Sequence, residues 1–214
     1  MASTKEKIVQ MAIEIFNKKG IKNTTSRDIA DALEISRGNL SYHYKCKTDL
    51  IEDVYKYIFE SKEIEILPNG LVTLHHFHAL FKQMIDFQDR YRFFFLDIIE
   101  ILRDYPAVGK LYRERAHRRT AQGRALINYY IGSGLFQPEP IPGIYDQLSN
   151  TVWIVRVFWL NQVWIKQECK KDGTVAMDKK RALESIWMLH YPHLTDKGKV
   201  EYFEIMKLVA KPAS

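Results

Sequence analysis

Apolar positions recur every three to four residues along most of this chain, a spacing that predicts helix from end to end. Ile8, Met11, Ala12, Ile15 and Phe16 form the first apolar face. Ser3 and Glu6 stand ahead of it at capping-box spacing, Lys18 and Lys19 suit the negative end of the helix dipole, and Gly20 is the stop. A second capping box, Thr25 with Asp28, opens a short helix through Leu33, with Ile29, Ala30 and Leu33 inward. Ser36 reads as the N-cap of a third short helix, Arg37 to about Tyr44. A fourth begins near Lys47, with Leu50, Ile51, Val54, Tyr57 and Ile58 on its buried side.

The run Pro68-Asn69-Gly70 interrupts the pattern and places a boundary around residues 62–70. Beyond it the periodicity predicts helices at roughly 71–89, 91–104, 106–132, 144–170, 178–191 and 196–210. Pro106 is well placed as a first helical residue. Loops fall at Gly132-Ser133-Gly134, between Pro138 and Gly143, and at Lys171 to Gly173. No alternating strand pattern occurs. The expected fold is all-α, about nine or ten helices, with a small N-terminal domain over residues 1–62 and a larger helical bundle over 70–214.

Composition narrows the class. Of 214 residues, 46% are apolar and 13% aromatic, enough for a packed core. The net charge of +6 suits a nucleic-acid partner without requiring one. Cys46 and Cys169 form neither a disulfide framework nor a zinc spacing, so a reduced cytoplasmic protein is expected. Met1 to Lys7 is polar and lacks the apolar core of a secretion signal. The longest apolar stretch, Trp153 to Ile165, is broken by Arg156, Asn161 and Gln162, so no membrane partner is expected.

Residues 25–47 carry the most specific signal. Two short helices with a turn of about four residues between them fit a helix-turn-helix. The first would lie across the DNA backbone and the second, Arg37 to Tyr44, would enter the major groove. Between Ser36 and Lys47 there is no acidic side chain, while Arg37, Asn39, Ser41, Tyr42, His43, Lys45 and Lys47 can all hydrogen-bond. So short a helix is unstable alone. Leu40 and Tyr44 must anchor it to its neighbours.

The run from Thr25 to Leu50 resembles the N-terminal signature of the TetR family of repressors. An apolar helix ends in glycine at Gly20, a threonine caps the second helix at Thr25, and Ile29 and Ala30 fill the core pair. Ile35 and Ser36 match the turn before the third helix, and Gly38, Leu40, Tyr42, His43 and Tyr44 match the pattern within it. Lys47 and Leu50 complete the match, which covers about the first 55 residues. Three residues depart from it. Glu34 stands where the turn usually has a small residue or glycine, Ser41 replaces a tyrosine, and Cys46 replaces a capping Asn or Ser.

The resemblance implies a sequence-specific DNA-binding regulator, usually a repressor, that is a homodimer on double-stranded operator DNA and is released or retuned by a small-molecule effector. On that reading Lys47 and Tyr42 reach phosphates, and Thr25 and Ser26 add donors at a helix N-terminus. Arg37, Asn39 and His43 are candidates for base edges, Ser41 is a further polar contact, and Gly38 permits a close approach. It also implies that two late helices from each subunit form a four-helix dimer interface. The alternative is a helical ligand-binding or signalling module without DNA binding.

For the effector, the aromatic run Tyr91, Phe93, Phe94 and Phe95 marks one candidate wall, which Tyr112, Trp153, Phe158 and Trp159 could face. Asp97, Arg156, Asn161 and Gln162 are polar groups inside apolar stretches, where such groups orient a ligand or satisfy one another. These predict an apolar or aromatic ligand, with Phe94, Asp97, Tyr112, Trp153, Arg156 and Trp159 as its contacts. His75, His76 and His78 lack further ligands at metal spacing, so no metal is expected. The basic run from Lys110 to Arg124 reads as a solvated surface that could instead hold an anionic head group or touch DNA. No glycine-rich phosphate loop, nucleophile elbow or zinc-protease motif is present, so no enzyme activity or cofactor is expected.

Overall fold

The computed structural model describes residues 3–60, 72–166 and 177–210. Among them are eleven α-helices, a 3-10 turn at Tyr191–His193 and no strand; Phe136 and Leu194 form an isolated bridge. The expected boundary at 62–70, Cys169 and the last residues of the 144–170 helix lie outside the described residues.

The chain divides into two compact units, one containing the described residues of Met1–Glu63, Gln88–Glu114 and Leu160–Met177. It begins with α1 (Thr4–Lys19), α2 (Ser26–Ala32), α3 (Arg37–His43) and α4 (Lys47–Glu60). Both halves of the Ser3–Glu6 capping box form, and Gly20 ends α1 at φ 77°, where glycine carries no Cβ penalty. Ile8, Ala12 and Phe16 are buried as expected, joined by Val9 and Ile13, whereas Met11 and Ile15 are half-exposed. On α4, Tyr55 and Phe59 are buried and Tyr57 is only half-buried. The remainder of this unit includes α6 (Arg92–Leu96), α7 (Ile98–Asp104) and parts of three longer helices. Phe16 meets Phe93 at 5.3 Å between ring centroids, and Asn17 clasps this corner, donating to the Arg90 carbonyl (2.8 Å) and accepting from the Phe93 amide (3.1 Å).

The single helix expected at 91–104 is two helices broken at Asp97 (φ −105°, ψ 20°). The Leu96 carbonyl beside the break accepts from the Asn161 amide at 3.0 Å, so a side chain from far along the chain satisfies a backbone group that the break leaves out of the helix ladder.

The second unit contains the described residues of Ile64–Phe87, Arg115–Trp159 and Asp178–Ser214. It holds most of α5 (Leu74–Arg90), the later part of α8 (Pro106–Gly132), the earlier part of α9 (Ile144–Lys166), then α10 (Lys179–His190) and α11 (Asp196–Ala210). Its centre is aromatic. Phe77 lies 4.8 Å from Trp187 and 4.7 Å from His190, and Tyr130 stacks on Phe136 at 5.6 Å. Buried hydroxyls are satisfied by backbone: Tyr130 donates to the Thr73 carbonyl and Tyr145 to that of Gln137. A Cβ on Gly198 would fall 2.2 Å from the Leu135 carbonyl oxygen, so only glycine permits this approach of α11 to the 132–136 turn.

Candidate nucleic-acid interface and effector cavity

The segment Thr25–Lys47 is held by local hydrogen bonds and a few buried side chains. Thr25 caps α2, accepting from the Asp28 amide (3.2 Å), and its own amide donates to the Asp28 carboxylate (2.6 Å). Lys19 pairs with that carboxylate at 2.8 Å; its hydrogen bond, with those from Thr25, holds Asp28 well below the usual carboxylate range.

At the other end of α2, the Ile35 amide donates to the Ala30 carbonyl (3.0 Å) and the Glu34 amide to that of Asp31 (3.2 Å). This is a Schellman cap, and it requires a left-handed residue at position 34. Glu34 takes it, at φ 55°, as the one non-glycine residue with positive φ among those described. The turn keeps its hydrogen bonds and bears the steric cost of a side chain.

Ser36 caps α3 through the Asn39 amide (3.1 Å). Leu40 is buried beneath the helix, and so is Tyr44, whose hydroxyl donates to Asp53 (3.2 Å). Asp53 also pairs with Lys5 (2.5 Å); burial alone would raise its pKa, but Lys5, Tyr44 and Lys56 together hold it below the usual range. The opposite side of α3 is open. Arg37, Gly38, Asn39 and Ser41 are exposed, and Tyr42 is 85% exposed. His43 is half-buried, edge-on to Tyr42 at 5.3 Å, and Thr25 and Ser26 are exposed at the start of α2.

Lys47 has a second role that the sequence pattern did not reveal. Its ammonium donates to the carbonyls of Ile21 (2.5 Å) and Thr24 (2.8 Å), which brings it beside the start of α2 and ties α4 to the α1–α2 loop. Burial lowers its pKa. Cys46 gives α4 no side-chain cap, but its amide donates to Asp49 (3.3 Å), so half of a capping box forms without it.

The six expected ligand contacts divide between the units. Phe94 and Tyr112 belong to the first, 5.6 Å apart, in an aromatic cluster with Tyr55 and Phe59. Phe94 borders a small apolar space of about 240 Å³ with Phe16, Ile51 and Ile101. Asp97 is in the same unit, its pKa raised by burial and by Glu100. Trp153, Arg156 and Trp159 belong to the second unit. There Trp153 and Arg156 border a larger cavity, about 580 Å³ including its open mouth. Its apolar wall comes from Phe77, Leu80, Phe81 and Met84 on α5 with Leu126 and Ile127 on α8. Trp159 is half-buried, and its indole nitrogen is buried with no hydrogen-bond partner among the described residues. The α5 stripe was visible as positions 77, 80, 81 and 84 at helical spacing, but nothing in that spacing separates a cavity wall from ordinary core.

Of the three neighbouring histidines, His75 is exposed, His76 is half-exposed and His78 accepts at Nδ1 from the Trp187 indole (3.2 Å). No three His, Cys, Asp or Glu side chains gather at metal-binding distance among the described residues, and no helix among them is long and apolar enough to cross a membrane.

A short, polar, acid-free helix, capped at its start and seated on buried neighbours, defines a helix-turn-helix protein. Comparison with known proteins names the family. Residues 8–54 match the model for bacterial regulatory proteins of the tetR family, and residues 59–202 match the TetR model for bacterial transcriptional repressors. The chain belongs to the TetR family and is a DNA-binding transcriptional repressor. It is 24% identical over 160 residues to the transcriptional repressor KstR2 of Mycolicibacterium smegmatis, covering 72% of this chain and 78% of that one. It is 25% identical over 189 residues to IcaR, negative regulator of the biofilm operon icaADBC in Staphylococcus aureus, covering 86% and 96%. A TetR-family regulator from Marinobacter aquaeolei superposes with a TM-score of 0.80 at 26% identity, over 96% of this chain and 98% of that one.

Proposed function

We propose that this repressor acts in the cytoplasm as a homodimer that reads a two-fold operator with α3 of each subunit and is released when a small molecule enters the cavity of the second unit. Residues 1–62 serve as the DNA-binding domain and 70–214 as the ligand-binding and dimerisation domain. One observation carries the reading: the outer face of α3 is exposed and without acid, with Tyr42 85% exposed on a helix too short to exist unaided. That face has no folding role large enough to explain its residues.

Arg37, Asn39 and His43 address base edges, where arginine suits guanine and asparagine suits adenine. Tyr42 and the third donor of Lys47 meet phosphates, with Thr25, Ser26 and Ser41 adding polar contacts and Gly38 allowing close approach. Ile154 and Phe158 on α9, Met188 on α10, and Val200, Phe203 and Leu208 on α11 are exposed apolar side chains that suit a dimer interface. A dimer sets the two α3 helices about one DNA turn apart, roughly 34–36 Å, and a ligand that prefers another spacing weakens binding.

Selection of bound sequences from random duplexes tests the reader. Arg37→Ala and Asn39→Ala should each relax preference at particular base pairs, by about 1–3 kcal/mol for a bidentate contact. Lys47→Ala should lower the salt slope of binding by about one phosphate. A monomer that ignores every duplex at low ionic strength would overturn the proposal.

A further inference from the structure

The wall of the second unit's cavity holds a hydrogen-bond acceptor open among apolar side chains. His190, on the buried stripe of α10 with Ile186 and Trp187, borders the cavity. The Phe77 and Phe81 rings, 4.7 and 5.9 Å from its own, border it too. The imidazole is only 3% exposed, and its Nδ1 turns back along α10 to the Ile186 carbonyl at 2.7 Å. A carbonyl can only accept, so Nδ1 carries the proton, and in the neutral ring Nε2 is then a bare acceptor on the opposite edge. Burial keeps the ring neutral at physiological pH; His193 nearby acts in the same direction.

Nε2 has no hydrogen-bond partner among the described residues, yet it is not one of the polar atoms sealed in without a partner. It therefore opens on space, and the space that His190 borders is this cavity. The other polar side chains around it are engaged. Thr120 and Ser149 each donate a hydroxyl proton within their own helix, to the carbonyls of Ala116 (3.1 Å) and Tyr145 (2.9 Å). Arg119 donates to Gln122, Arg156 lies over the Trp153 ring, and both have further interactions.

We propose that the effector is a neutral apolar alcohol or phenol whose O–H donates to Nε2 of His190, with its body lying along Phe77, Phe81, Met84, Leu126 and Ile127. This rests on the effector reading above and deepens it. A buried acceptor left unpaired is costly, so a ligand that brings a donor gains over one of the same shape without it. A carboxylate would set its lone pairs against that of Nε2. An ammonium would carry its charge into a space that no aspartate or glutamate borders. The bond also ties the ligand to α10, the helix that carries Met188 of the proposed dimer interface.

Calorimetric titration of the purified full-length protein tests this with para-butylphenol and decanol, each against its methyl ether, and with para-butylbenzoate. The phenol and the alcohol should bind about tenfold tighter than their ethers, and the benzoate no tighter than the ethers. His190→Phe keeps a ring at the site and removes the acceptor. It should bring each hydroxyl compound down to the affinity of its ether and leave the ethers binding as they do to the parent. Nitrogen NMR of isotope-labelled parent protein reads the same bond without a variant: the Nε2 signal of His190 should shift with the phenol and not with its ether. Ethers that bind as tightly as the hydroxyl compounds, a benzoate that binds more tightly than the phenol, a hydroxyl preference that survives His190→Phe, or an Nε2 signal unmoved by bound phenol would overturn the proposal. Binding of the phenol with the full preference, but with the operator complex left intact, would instead overturn the release mechanism and leave the ligand class standing.

Discussion

Arg37, Asn39 and Tyr42 on α3 project from the surface of the first unit, whereas Arg119, Arg156 and His190 stand among apolar side chains around the cavity of the second. On α3 the backbone is secured separately, by the Ser36 cap and by Leu40 and Tyr44 underneath, so the polar side chains are free of folding duties. Around the cavity the polar groups are themselves part of the packing. His190 is buried against Phe77, with Nδ1 2.7 Å from the Ile186 carbonyl, which can only accept, so Nδ1 carries the proton. Function can therefore be changed on α3 at little cost in stability, while a change around the cavity alters folding as well.

The sharpest break of that contrast sits under α3. Leu40→Ala should cost about 2–5 kcal/mol and abolish operator binding, measured by denaturant unfolding and by gel shift. Tyr42→Ala, at an 85% exposed site, should change stability by less than about 0.5 kcal/mol while weakening DNA binding. Equal destabilisation by the two would erase the distinction between support and contact.

Next in size is the pH response of His190. Burial pushes its imidazole down to about 4 from an ordinary 6.5, only partly offset by the Ile186 carbonyl. The unfolded chain takes up a proton below about 6.5 and the folded chain does not until about 4. The stability is thus present at neutral pH and is lost as pH falls through that window, by about 3 kcal/mol in all. His190→Gln should flatten the slope of unfolding free energy between pH 6.5 and 4; a slope as steep as the parent's would place the titration elsewhere.

Two smaller effects concern the backbone of the reader. Glu34→Gly should stabilise by about 1 kcal/mol, because glycine carries no Cβ penalty at φ 55°. A loss on that substitution would mean that the Glu34 side chain offsets the strain. Cys46→Asn should add about 0.5–1 kcal/mol by completing the capping box that the Asp49 carboxylate half forms. An unchanged melting temperature would show that Lys47 already fixes the start of α4.

Most of the first four helices was legible in the sequence, because what starts and stops them acts over three or four residues. The Ser3–Glu6 and Thr25–Asp28 boxes, the Ser36 cap and the Gly20 stop are all contacts between near neighbours in the chain. Glu34 was marked as the departure in the turn, and the strain falls on it. The aromatic run at Tyr91–Phe95 was misleading as a guide to the larger cavity, since Phe93, Phe94 and Phe95 are buried as core of the first unit.

Periodicity, caps and turn residues determined by themselves where the first four helices begin and end and that a polar helix stands at Arg37–His43. Three things needed the tertiary structure: the break at Asp97, the anchoring of Lys47 on carbonyls 26 and 23 residues away, and a cavity walled by α5, α8 and α9. The reason is range. A cap is satisfied within one turn, but a helical stripe records only that a face is covered, and which distant face covers it, or leaves a gap, is decided when the helices pack.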